Sequence, residues 1–124
     1  MNKSFETTQP TIIQVFPARR EQGIIINHLT VDISRTGKFD AVTFYFVDQV
    51  NREPVFRISA KDTSNFVSTP INLKSWRGAW LEIQVSGFGD VFVGVEYTSE
   101  KVDIFTPSGV LYKKYVSTQK EVKT

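Results

Sequence analysis

His28 is the single histidine of the chain. It sits beside Thr30 and Asp32 on the polar side of a strand-like run, where its residue type suits a general base or one metal ligand. A base of that kind works with a nucleophile, and a zinc ion draws on further histidines or cysteines. The chain has no cysteine, no Gly-x-Ser-x-Gly turn and no paired glutamate motif near His28, so hydrolysis by a triad lacks its parts. Asp32, Asp40, Asp48, Asp62, Asp90 and Asp103 are scattered, without an Asp-x-Asp-x-Asp-Gly run, and read as solvated loop carboxylates rather than calcium ligands. Gly87, Gly89 and Gly94 do not follow a phosphate-binding pattern either. The expectation is a protein that is not an enzyme, with no cofactor and no metal.

The aromatic residues are more suggestive. Trp76, Trp80, Phe88, Phe92 and Tyr97 cluster in one stretch of sequence, and rings on the outside of a sheet can anchor a protein partner or stack on sugars. Trp80 and Phe92 occupy the parity opposite Leu81 and Val93, and Phe88 falls at the tip of an expected turn. Phe88, Trp76, Trp80 and Phe92 are therefore the candidate partner-binding residues. The competing reading, in which the N-terminal segment or a long loop covers this face, stays open at this point. Fifteen Lys and Arg against 13 Asp and Glu leave a net charge of +2, too little for phosphate binding by bulk electrostatics, so no nucleic-acid partner is expected. Glu21 and Glu121 interrupt the basic residues Arg19, Arg20, Lys113, Lys114, Lys120 and Lys123, whose expected role is solvation.

The elements that must position these side chains are strands. The 124 residues suffice for one domain with its own core, and 40% hydrophobic content with 13% aromatic fits a globular chain. No segment keeps helical apolar spacing for ten positions, and β-branched and aromatic runs alternate with turn residues. The runs are Thr11 to Phe16, closed by Pro17; Ile24 to Ile33, with Ile25, Leu29, Val31 and Ile33 on one parity across Asn27; Ala41 to Val50, apolar on both parities; and Val55 to Ala60, making a hairpin with it. A short edge strand, Ile71 to Leu73, follows Pro70. Ala79 to Ser86 and Val91 to Tyr97 alternate strictly around Gly87-Phe88-Gly89-Asp90, which predicts a tight hairpin with Leu81, Ile83, Val85, Val91, Val93 and Val95 on one buried face. Gly94 is expected to make room for a bulky neighbour such as Trp80. Val102 to Phe105 and Val110 to Tyr112 complete the set.

About eight strands at this spacing predict an all-β, antiparallel two-sheet β-sandwich, jelly-roll-like. Residues 1–10 and 113–124 are polar and predict an N-terminal arm and a C-terminal tail around a single domain over 11–112. The N-terminus lacks the apolar stretch of a secretory signal, and no run reaches the length of a membrane helix, so neither export by that route nor a membrane partner is expected.

The stretch Gly78 to Gly87, followed by Asp90 to Tyr97, resembles the terminal hairpin of small β-sandwich virion proteins of tailed bacteriophages, such as capsid decoration or auxiliary proteins. The likeness covers about a fifth of the chain and carries no residue roles across. It implies a non-enzymatic structural protein of the virion, made in the host cytoplasm. Its partners would be capsid or other virion proteins and further copies of itself in a homo-oligomer. A carbohydrate-binding module using the surface aromatics is the alternative.

Overall fold

The computed structural model describes residues 1–33, 38–59 and 66–107, with the side chains of 38–40 and 88 outside that description. Among the described residues eight strands follow one another: β1 (Asn2–Thr7), β2 (Thr11–Val15), β3 (Gln22–Asp32), β4 (Lys38–Val47), β5 (Arg52–Ser59), β6 (Phe66–Lys74), β7 (Trp80–Phe88) and β8 (Val91–Lys101). Every pairing is antiparallel. β1 pairs with β8, β2 with β7, β3 with β6 and β4 with β5. Pairings of β3 with β8 and β4 with β7 then complete two four-stranded sheets, β1-β8-β3-β6 and β2-β7-β4-β5. That order is the jelly roll, a long antiparallel ribbon rolled up on itself, and the expected all-β sandwich is the fold of the chain.

The core lies between the sheets because each strand turns alternate apolar residues inward. Leu29, Val31, Phe44, Leu81, Ile83, Val93 and Val95, the period-two positions of the sequence, are each 3% exposed or less. Phe44 meets Phe56 edge-on at 5.7 Å and Phe46 meets Trp76 at 6.5 Å, an arrangement that aromatic quadrupoles favour. β4 is a central strand, and its Val42, Phe44 and Phe46 are fully buried.

Several local expectations are corrected. β7 and β8 do not form a hairpin: they belong to different sheets, and the chain crosses between layers at Gly87 (φ 95°) and Gly89 (φ 138°), backbone angles that glycine adopts without strain. Leu81, Ile83 and Val85 are still buried with Val91, Val93 and Val95, but the two sets come from opposite sheets. In β3 the register shifts between Ile26 and His28, so Asn27 is a bulge rather than a polar gap in one apolar face. The extra residue switches parity: Ile24 and Ile26 are buried before it, Leu29, Val31 and Ile33 after it, and Ile25 turns outward.

Residues 1–10, expected as an arm, contain β1, whose register runs from Asn2 opposite Glu96 to Thr7 opposite Val91. The ladder supplies what apolar surface does not: the terminal amine of Met1 donates to the Tyr97 carbonyl at 3.0 Å, and Phe5 alone packs against the core. β6 extends well beyond Ile71–Leu73 and passes through Pro70; it is an edge strand, where a missing N–H costs no ladder bond on its outer side. The Val102 to Phe105 run is not a strand. Val102 is buried and Ile104 packs on the core, with the Ile104 carbonyl accepting from Arg77 N at 2.8 Å, so this segment lies across one end of the sandwich. The Val110 to Tyr112 run and the tail over 113–124 lie outside the described residues.

Candidate interaction surfaces

The end of the sandwich that carries the β2–β3, β4–β5 and β6–β7 connections is closed by hydrogen bonds rather than left open. Asp48 caps the β4–β5 turn, its Oδ1 accepting from the amides of Val50 (2.8 Å) and Asn51 (2.6 Å). Its Oδ2 accepts from the Trp76 indole at 2.9 Å. Burial pushes the Asp48 carboxyl up, but the two amides, the indole and the Asn51 side chain outweigh it, and its pKa lies below the ordinary value of 3.8. Trp76 is thus a core residue, 2% exposed, tied by its one polar atom to a turn. It is not the surface anchor the sequence suggested.

Trp80 and Phe92 do point outward, but from different sheets, so they lie on opposite outer faces of the sandwich. Trp80 is half-buried under Phe16, whose ring centroid lies 5.2 Å from its own. Cover by the chain leaving β2 is therefore the fate of this tryptophan. Phe92 leans over Gly94, where a Cβ would meet its ring at 3.4 Å; the packing partner of that glycine is Phe92 and not Trp80. The backbone of Phe88 ends β7 opposite Lys38, and its side chain is outside the described residues. The four candidates do not converge on one surface.

Two surfaces do assemble. Across the outer face of β1-β8-β3-β6, registers align Ser4, Gly94, Thr30 and Ser68 in a row of small residues. Ser4, Gly94 and Thr30 of this row line a hollow of about 330 Å³ whose walls include Phe92, Glu96 and His28. His28 Nε2 lies 2.9 Å from Ser68 Oγ, and Thr30 Oγ1 lies 3.1 Å from the same oxygen, forming a short hydroxyl–imidazole chain. The arrangement offers hydrogen bonds beside an aromatic edge. No group of three or more metal-ligating side chains occurs among the described residues.

On the outer face of β2-β7-β4-β5, Glu82 is buried beneath Arg52, with 2.6 Å between carboxylate and guanidinium. The same guanidinium stacks 4.1 Å over the Tyr45 ring and reaches Gln84 Oε1 at 3.3 Å. Beyond that polar centre, Ile12 in β2 and Phe16 just past its end are each 56% exposed, on either side of Gln14. The sequence signal for them was ambiguous, because Ile12 and Phe16 on one parity and Ile13 and Val15 on the other are all apolar. No protein-family model matches the chain, and no curated protein sequence is similar to it.

Proposed function

We propose that this chain is a non-enzymatic structural protein of a virus particle, a capsid-associated decoration or auxiliary subunit that works through protein–protein contacts and self-assembly. The observation that carries the reading is the eight-strand jelly roll formed by the described residues, an architecture that viral capsid domains use repeatedly. The link is one of architecture, joined to the sequence likeness between residues 78 and 97 and small phage virion proteins. A second feature supports it. Ile12, Phe16 and Phe105 are 56 to 64% exposed on a body whose core is already filled, and exposed apolar side chains are what a subunit contact consumes. Virus particles purified from cultures of the source organism and examined by quantitative mass spectrometry test the reading. The chain is expected there at a fixed ratio to the major capsid protein, and its absence overturns the proposal.

The hollow over Gly94 favours a second reading, a glycan-binding module, since jelly rolls also serve as lectins and sugar hydroxyls pair with groups such as Thr30 and His28, which line it and share a bond to Ser68. Neither tryptophan lines this hollow, so calorimetric titration with oligosaccharides is the appropriate measurement. Heat of binding in wild type, lost in Gly94→Val, would favour this reading; no heat would remove it.

A further inference from the structure

We propose that two copies of this chain pair through the outer edge of β2, antiparallel and about a two-fold axis at Ile13, to join their β2-β7-β4-β5 sheets into one continuous sheet. The inference builds on the subunit reading and names the surface through which a copy recognises its like. It starts from a difference among the four sheet edges. Natural sheets guard their edges with charge, proline or bulges. β1 carries Lys3 and Glu6; β5 carries Arg52, Glu53, Pro54 and Arg57 with a register shift; β6 carries Pro70 and Lys74 with another. β2 reads Thr-Ile-Ile-Gln-Val, with no charge, no proline and an unbroken register against β7. Among the described residues, its backbone makes no hydrogen bond outside the β2–β7 ladder.

Charge complementarity selects a second copy as the occupant. Arg19 and Arg20 follow the C-terminal end of β2, while Asp90 lies at its N-terminal end, where the Gly89 amide donates to the Thr8 carbonyl in the segment that leads into β2. All three are exposed, and none is in an ion pair among the described residues. An antiparallel two-fold pairing sets unlike ends together, so the arginines of each copy approach Asp90 of the other; a parallel pairing would set like charges side by side. The apolar surface matches too. With Ile13 on the axis, position 16 faces position 10 of the second copy, and Phe16 reaches a hollow of about 420 Å³ bordered by Pro10, Ile12 and Gly87. Side chains at paired positions share a face, so Ile12 and Phe16 of both copies lie on the same outer surface.

Sedimentation of the purified full-length chain tests the pairing, with a dimer of twice 14.1 kDa expected. Ile12→Lys puts a charge on the edge at an exposed position and should weaken the dimer about tenfold or more, with the circular dichroism spectrum unchanged. Arg20→Glu should also weaken it, and adding Asp90→Arg to that variant should restore it, a rescue that a merely structural role would not give. The chain has no cysteine, so Ile12→Cys/Gln14→Cys, which places 12 opposite 14, should form an interchain disulfide. A wild-type chain that stays monomeric up to about 100 µM overturns the inference. So does a dimer indifferent to Ile12→Lys and to the charge swap. Absence from particles with an intact dimer would refute only the subunit reading; presence in particles with a monomeric free chain would refute only this pairing.

Discussion

Asp48 shows how one side chain couples distant parts of the chain: it accepts two amides of its own turn and the indole of Trp76, 28 residues away. Its folded pKa lies below the unfolded value, so the native state favours the charged form and binds fewer protons than the unfolded chain. The resulting stabilisation is present above the unfolded pKa of about 3.9 and is lost as pH falls through the folded pKa. Denaturant midpoints measured between neutral pH and pH 2 should therefore fall on the acid side, and Asp48→Asn should flatten the acid limb while lowering stability at neutral pH. A second residue-scale prediction concerns Glu82, whose side chain is 6% exposed beneath an Arg52 side chain that is 44% exposed. Arg52→Ala strands a buried carboxylate and should cost about 1 to 3 kcal/mol, less than for a fully enclosed pair because water reaches the guanidinium side. Urea titration of Arg52→Ala and of Arg52→Ala/Glu82→Gln reads this directly, the double variant recovering part of the loss.

At the scale of elements, β1 and β2 illustrate two fates of an edge. β1 is polar in sequence because only one of its faces touches the core and its outer edge meets solvent; its contribution is a ladder against β8 plus the packing of Phe5. Deleting residues 1–7 exposes the edge of β8, a strand of eleven residues, and should lower the thermal midpoint by roughly 5 °C or more. An unchanged midpoint by calorimetry would mean that the ladder contributes nothing and that the arm reading was right. The β3 bulge at Asn27 carries a similar lesson. A period-two count across it put Ile25 on the buried face, whereas one inserted residue inverted the assignment for Ile24 to Ile26 and left Leu29, Val31 and Ile33 correct.

Over the whole molecule, the outermost pairing joins Asn2 to Glu96 and the next joins Thr11 to Val85, so most of the ladder closes long loops. Loop closure of that kind must precede the contacts that compensate it, which makes folding slow for a domain of this size. Stopped-flow refolding followed by Trp76 and Trp80 fluorescence should give a main phase on the order of milliseconds to seconds. Microsecond folding would contradict a transition state that already holds the β1–β8 and β2–β7 pairs.

Alternation is a local property, so the sequence by itself determined the all-β class and most of the core: Leu81, Ile83, Val85, Val91, Val93 and Val95 had to face inward whichever strands they paired with. Ladder hydrogen bonds are made by backbone groups common to every residue and carry no address. Which strands become neighbours is decided by the packing of both sheets at once, so the tertiary structure alone separated β7 from β8, turned a polar N-terminus into a strand and carried β6 through Pro70. The same reason governs the candidate surfaces. Trp76, Trp80 and Phe92 are close in sequence, but one is folded into the core and the other two are carried to opposite faces, while Phe16 and Arg20, in the segment that follows β2, became legible only once β2 was seen to be an edge strand.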